Sequence, residues 1–299
     1  MSKRRIFRDP AHDRTFENDG YVILDILAPD AIKDIEQFFV SNSDQEFTGW
    51  HNSLELDAPE QKSKIFEFLK DVYNERIVEY VADYRPLIGA FVSKKSDANS
   101  LVRLHQDWTF VDETLYPSLN LWFPLCSTNS TNGALTVLKG SHTIKRNIRG
   151  SGIPPRIKIS ADLAEKYSTS LPMKPGSVLF YDHRLIHGSG ANRSGIPRTA
   201  ASIGLIPAEA TALHYVATDG GAVEIEVDEA FFHNLHLTSL SEAKGSYRYD
   251  HSGVGYRSRT IEFAETSIED HDIIRRYERK TISAFRSLKT RFKPNVRFD

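Results

Sequence analysis

Two side chains able to ligate a metal fall within three residues at His105-Gln106-Asp107, and a third, His187, lies far along the chain in Leu185-Ile-His187-Gly-Ser-Gly190. Alternate side chains of an extended strand share a face, so His105 and Asp107 point the same way if Leu101–Trp108 is a strand. Two imidazoles and one carboxylate occupy one face of an octahedron and leave the opposite face open, an arrangement suited to Fe(II) in oxygen-activating chemistry. Two open positions accept a chelating 2-oxo acid and one accepts dioxygen. The far carboxylate of such an acid needs an anchor, and a guanidinium offers it two parallel hydrogen bonds. Arg198, in Ile196-Pro-Arg-Thr, opens the apolar run that follows His187 and stands where that anchor is useful.

Other readings compete for some of these residues. Asp182-His183-Arg-Leu-Ile-His187 spaces two histidines as a metalloprotease helix does, but Arg184 stands where the glutamate is required, so that reading fails. His183 and Asp182 are then supporting or loop residues. His142 in Gly-Ser-His has no Gly-x-Ser-x-Gly elbow beside it and reads as part of a turn. Trp108 suits either a substrate pocket or the core. Lys94 and Lys95 read as a solvated strand edge in preference to contacts with an acidic group, and His233, His236, His251 and His271 as surface residues.

The elements that must position the site follow from hydrophobic patterning. Short apolar runs at 87–92, 101–108, 119–125, 134–138, 178–181 and 199–206 are punctuated by Asn132-Gly133, Gly140-Ser141, Pro175-Gly176 and Gly188-Ser-Gly190. Many short strands with such turns predict a mainly β sandwich or barrel rather than a doubly wound fold. In Leu119-Asn-Leu-Trp-Phe123, Asn120 and Trp122 share one face and the apolar residues share the other. That division suits a strand with a pocket on one side and helices on the other. Before the strands, a turn at Asp19-Gly20 feeds an apolar strand, a helix starts near Pro29, and residues 60–83 read as more helix. Residues 143–172, with Gly150, Gly152, Pro154 and Pro155, read as an insertion long enough to be functional. A helix is expected from about Ser267, acidic at its start and basic at Arg286, Lys289 and Arg291.

Composition narrows the partners. With 38 basic and 40 acidic residues, the net charge of -2 gives no attraction to nucleic acid or to an anionic membrane. No apolar stretch reaches the roughly 20 residues that span a bilayer, and the start of the chain has no secretion signal, so a cytoplasmic location is expected. Cys126 is the single cysteine, which excludes an intrachain disulfide and a thiolate-rich metal site.

These blocks together resemble the phytanoyl-CoA dioxygenase family. The resemblance rests on His105-Gln-Asp107-Trp, Ser118-Leu-Asn-Leu-Trp-Phe-Pro-Leu125, Asn132-Gly-Ala-Leu, Gly140-Ser-His142, Pro175-Gly-Ser, and His187-Gly-Ser-Gly-Ala-Asn192 followed by Arg198. It covers residues 14–208 and implies a double-stranded β-helix, the cupin-like jelly roll, with flanking helices. It further implies that His105, Asp107 and His187 bind Fe(2+) and that Arg198 pairs with 2-oxoglutarate. Ser189 would add a hydrogen bond to that carboxylate, with Gln106 and Trp122 as its neighbours. Related halogenases replace the carboxylate ligand with a small residue, so Asp107 disfavours halogenation.

The expected architecture is one oxygenase domain over 1–299, with a helical layer to 85, a jelly-roll core over 86–208 and a C-terminal extension over 209–299. The expected chemistry is O2-dependent oxidation of an unactivated C–H bond in a small molecule, by default hydroxylation, with release of succinate and CO2. Desaturation or cyclisation would use the same groups. A monomer or homodimer is expected, and a non-catalytic cupin-like binding protein is the alternative from another class. No cluster of basic residues suited to coenzyme A phosphates stands out, and a small biosynthetic metabolite is the expected substrate.

Overall fold

The computed structural model describes residues 4–42, 47–219, 221–234, 257–262 and 266–278. Helix α1 (Pro10–Asp19) begins with Asp9 accepting from the Ala11 N–H and Pro10 in the first turn, and it stops at Gly20, whose φ of 83° is left-handed. The turn expected at Asp19-Gly20 is the C-terminal cap of this helix, whereas the helix itself is not among the expected elements. The cap and the proline were legible, but only Phe16 is buried, so the apolar periodicity was too weak to reveal the helix. Strand β1 (Tyr21–Asp25), α2 (Pro29–Asn42) and β2 (Trp50–Asn52) follow, then α3 (Pro59–Arg76). The helix expected over 60–83 therefore ends at Arg76, with a separate 3-10 turn at Val78–Tyr80.

The central strands are β3 (Tyr84–Lys94), β4 (Val102–His105), β5 (Leu119–Pro124), β6 (Leu135–Leu138), β7 (Ile157–Lys158), β8 (Ser168–Leu171), β9 (Ser177–Asp182), β10 (His187–Ser189) and β11 (Arg198–Pro207), with the short helix α4 (Ala161–Tyr167) before β8. One sheet has the order β1-β9-β5-β11-β3-β2 and the facing sheet β4-β10-β6-β8. The chain passes back and forth between the two sheets through antiparallel pairings, which is the double-stranded β-helix. Residues 143–172, read as an insertion, end in β8, which completes the second sheet by pairing with β6. Its Ser-Thr-Ser-Leu sequence carries almost no apolar pattern because it is an edge strand.

Beyond the barrel, β12 (Leu213–Thr218) and β13 (Gly221–Glu226) form a meander with β14 (Ser258–Ile261), and α5 (Glu229–Asn234) packs near α3. Strand β15 (Ile268–Glu269) pairs with β7 and leads into helical residues 270–278. The basic end expected for that helix, and His236 and His251, lie outside the described residues. Among the described residues, no helix is long and apolar enough to cross a membrane.

The main core fills the space between the larger sheet and the helices. Leu121, Phe123, Phe180, Ile203 and Leu205 project outward from the sheet and meet Ile32 and Ile35 of α2 and Ile65, Leu69 and Tyr73 of α3. Alternation then leaves Asn120, Trp122, Ser202 and Gly204 on the inner face, as the β5 pattern suggested. Truncating the fully buried Leu121 to alanine should lower unfolding stability by about 2–5 kcal/mol in a denaturant titration, since it leaves a cavity in this layer.

Candidate functional site

Strands β4 and β10 run antiparallel with His187 directly opposite His105, and the two ring centroids are 4.3 Å apart. Each ring is held in the same way. Nδ1 of His105 is 2.9 Å from the Arg103 carbonyl oxygen, and Nδ1 of His187 is 2.9 Å from that of Leu185. A carbonyl only accepts, so both Nδ1 atoms carry the proton and both Nε2 atoms present a lone pair to the cavity. Burial, reinforced by His105, pushes the His187 imidazole down to about 4, which keeps it neutral and able to ligate.

Asp107 completes the set, although it lies just past the end of β4 rather than on the strand. Its Oδ1 is 3.7 Å from Nε2 of His105 and 3.6 Å from Nε2 of His187. Its Oδ2 is held on the far side by Asn120, 3.3 Å away, whose Nδ2 also donates to Tyr181 at 2.6 Å. Ser202 donates to Asn120 at 2.9 Å, so the chain of bonds crosses three strands of the larger sheet. Burial would push the Asp107 carboxyl up, but the neighbouring His187, His183 and His105 and the Tyr181 hydroxyl outweigh it and hold it below the usual range. Burial beside Asp107 drives the Tyr181 phenol well above its ordinary value, so Tyr181 keeps its proton and is a hydrogen-bond donor within the cluster, its hydroxyl also 3.3 Å from Nε2 of His187. One atom from each of His105, Asp107 and His187 lies within 4.8 Å of the other two. Two neutral imidazoles and one carboxylate with converging lone pairs fit a divalent first-row metal and leave part of its surroundings open.

His183 does not join this group. It is buried, its Nδ1 hydrogen-bonds Ser118 at 2.8 Å, and burial lowers it to about 4. Asp182 is engaged by the Arg184 guanidinium. His142 is buried in a 3-10 turn against Phe16 and Gly20, which supports its turn role. His271 is exposed as expected, whereas His233 is half-buried against Phe66 because α5 folds back onto α3.

A cavity of about 600 Å³ opens from this cluster between the two sheets. Arg198 enters it at the start of β11, 2% exposed, with Nη2 donating to the Gly133 carbonyl at 2.7 Å and its guanidinium 5.4 Å from the centroid of the Trp122 ring. Its Nε is buried without an acceptor. Directly opposite Arg198 in the β11/β3 register is Lys94. The expectation that Lys94 lies on a solvated edge is wrong. Strand β2, too short to read in the sequence, covers β3, and Lys94 is fully buried on the inner face with Ile88, Ala90 and Val92. Its Nζ donates to the carbonyls of Ser100 at 2.6 Å, Gly190 at 2.7 Å and Ser189 at 3.3 Å. Burial, reinforced by Arg198, lowers it to about 7, and burial lowers Arg198 to about 10. No carboxylate forms an ion pair with either cation among the described residues. Buried charge without a counter-charge is expensive, so this end of the cavity is built to receive an anion.

Ser189 and Gln106 also line the cavity; the Gln106 amide donates to the Arg184 carbonyl. Trp108 does both things considered for it, facing the cavity while its ring packs on Phe110 and His214. Tyr181 and Ser202 were missed in the sequence, and Lys94 was singled out there but placed on an edge. The register opposite Arg198 and the alternation of β9 and β11 would have found them once the sheet order was known.

The phytanoyl-CoA dioxygenase family model matches residues 16–200. The chain belongs to this family. A probable alpha-ketoglutarate-dependent hypophosphite dioxygenase of Stutzerimonas stutzeri is 30% identical over 164 residues, covering 52% of this chain and 54% of that protein. A phytanoyl-CoA dioxygenase of Arabidopsis thaliana is 30% identical over 141 residues, covering 46% of each. The chain thus spans about half the length of the curated relatives it matches. Among solved structures, the non-heme alpha ketoglutarate dependent carbocyclase SnoK from nogalamycin biosynthesis aligns over 68% of this chain and 86% of its own, at 17% identity and a TM-score of 0.47.

The two glycines after His187 differ in what they permit. A Cβ on Gly188 would lie 2.8 Å from the Val102 carbonyl oxygen, where β4 and β10 shift register, whereas a Cβ on Gly190 would meet nothing within 4 Å. In family terms both belong to one motif, but only the first sets the distance between the histidine strands. Gly188→Ala should therefore weaken anaerobic Co(II) binding, followed by its visible absorption, by about tenfold or more, while Gly190→Ala should bind as wild type does.

Proposed function

We propose that this chain is an Fe(II)- and 2-oxoglutarate-dependent oxygenase that oxidises, and by default hydroxylates, a C–H bond of a small molecule. The observation that carries this reading is the pairing, within one cavity, of a His105/Asp107/His187 ligand set with two buried cations that no carboxylate pairs with among the described residues. Family membership supports it, and so does the name of the hypophosphite dioxygenase relative. Bound iron would supply oxygen activation coupled to decarboxylation of the 2-oxo acid, giving succinate and CO2.

The remaining steps belong to the chain. His105, Asp107 and His187 would hold the metal. Arg198, through its free Nε, receives the far carboxylate of 2-oxoglutarate, while Lys94, whose three N–H groups are spent on carbonyls, contributes its charge from behind, and Ser189 lies beside them on β10. The guanidinium is braced by Trp122 and Gly133, so its direction is fixed before the anion arrives. On the other side of the ligands, Leu54, Ile88, Trp108, Phe110, Ile153 and Pro154 make a mainly apolar wall that holds the substrate and excludes water.

Anaerobic addition of Fe(II) and 2-oxoglutarate should produce a weak visible charge-transfer band that Asp107→Ala abolishes. Absence of the band in wild type would count against the reading. A band without substrate-stimulated succinate release across a metabolite screen would favour the binding-module alternative.

The affinity for 2-oxoglutarate should also depend on pH through Lys94. The ammonium form attracts the carboxylate, and in the free protein that form is lost as pH rises through about 7. A bound anion raises the Lys94 value, so binding above pH 7 takes up a proton and weakens by up to about tenfold per pH unit until that raised value is reached. In Lys94→Met, calorimetry should show binding weakened by ~10–100-fold below that pH, as expected for loss of a buried positive charge several ångströms from the carboxylate, and the dependence should flatten.

A further inference from the structure

The ligand carboxylate is the one member of the set not carried by a strand, and its main chain must be fixed by something else. The Asp107 N–H donates to the His183 carbonyl at 3.0 Å. The Asp107 carbonyl accepts from Nε of Arg149 at 2.6 Å. Arg149 belongs to the irregular segment between the turn at Ser141–Thr143 and β7, on which Ile148, Ile153 and Pro154 form part of the cavity wall.

Arg149 could instead be a receptor for an anionic substrate, since it lines the cavity. Its partners argue against that. Nη1 donates to Glu113 at 3.1 Å and to the Asn147 carbonyl, and Nη2 donates to the other Glu113 oxygen. The side chains of Arg149 and Glu113 are only 11% and 6% exposed, so the positive charge is neutralised within the protein. Its backbone is equally committed. The Arg149 N–H donates to Thr109 Oγ1 at 3.1 Å, and its carbonyl accepts from the Thr109 N–H at 3.0 Å. The next residues are locked to β12, with the Ser151 N–H on the Tyr215 carbonyl at 2.8 Å and the Ala217 N–H on Ser151 at 2.9 Å. Gly150 between them has no room for a side chain, because a Cβ would overlap the Tyr215 carbonyl.

We propose that Arg149, with Glu113 as its built-in counter-charge, is a positioning residue that fixes the Asp107 peptide, and so aims Oδ1 at the two histidines, from the loop that forms the substrate wall. This rests on the metal-binding reading of His105, Asp107 and His187. The Arg149 fork is spent on acceptors of the protein itself, the Asp107 and Asn147 carbonyls and the Glu113 carboxylate. It acts through the carbonyl of Asp107, and its planar geometry is what lets one side chain bridge Asp107 and Glu113 at once.

The test is Co(II) titration under anaerobic conditions, together with the Fe(II)/2-oxoglutarate band, on full-length Arg149→Met, Arg149→Lys and Glu113→Gln and on the Met/Gln double variant. Arg149→Met is expected to bind Co(II) about 10–100-fold more weakly and to shift the band, as loss of an outer support does. Arg149→Lys should not restore either, because an ammonium cannot hold both partners. Glu113→Gln should be affected in the same direction but less, and the double variant should be no worse than Arg149→Met, since the two act as one unit. If Arg149→Met fails to fold, Glu113→Gln carries the test alone through the same two measurements. Wild-type Co(II) affinity and an unshifted band in folded Arg149→Met, or in Glu113→Gln where only it folds, would overturn the proposal. No metal binding by wild type would instead overturn the functional reading beneath it.

Discussion

Two imidazoles held opposite one another across an antiparallel strand pair set the position of everything else in the cavity. Directly opposed residues in such a pair have Cβ atoms about 4.5–5.5 Å apart, close enough for two rings to share one point in space. A slip of one residue would turn His187 to the other face and dissolve the site. The register is held by β6 on the other side of β10, where His187 faces Val137, and by the missing side chain of Gly188 where β4 presses in. The two Nδ1–H bonds to carbonyls two residues back then remove ring rotation. A weak ladder of short strands becomes a precise ligand pair because each ring is tied to its own backbone.

The larger sheet contributes charge rather than ligands. Lys94 and Arg198 face each other on neighbouring strands, and like charges in that relation destabilise a sheet. The carbonyls of Ser100, Ser189, Gly190 and Gly133 offset part of this, and Trp122 offers its ring face. The offset is partial, as the lowered affinity of both groups for protons shows. Such a pair stays folded because the surrounding core is large enough to carry it, and it is relieved when an anion enters.

The site was legible in the sequence where chemistry and spacing coincide. His105, Asp107, His187 and Arg198 are rare residue types in a fixed order, and the Asn120/Trp122 face follows from strand period alone. What was not legible depends on neighbours. Lys94 reads as exposed because nothing in its own segment shows that three-residue β2 covers it. Strand β8 reads as loop because an edge strand needs no apolar alternation, and α1 is hidden because it buries one phenylalanine. Tyr181 reads as one more aromatic core residue until β9 is placed beside β5, where its hydroxyl meets Asn120. In each case local pattern is silent and tertiary pairing decides.

The three candidate ligands also differ in how they are secured. The histidines depend on one ladder, which any change in β4 or β10 disturbs. Asp107 depends on three unrelated elements: the loop before His187 at its N–H, the larger sheet at its Oδ2, and the segment carrying Arg149 at its carbonyl. That last segment is in turn tied to the C-terminal part of the chain, through Lys145 to Asp272 at 2.6 Å and Asn147 to Thr266 at 2.7 Å. The substrate wall, the C-terminal segment and the ligand carboxylate therefore form one connected body. The same segments reach the histidine strands mainly through apolar packing, with Ile144, Ile157, Ile268 and Ile273 beneath Leu104 and Ile186, the residues just before His105 and His187.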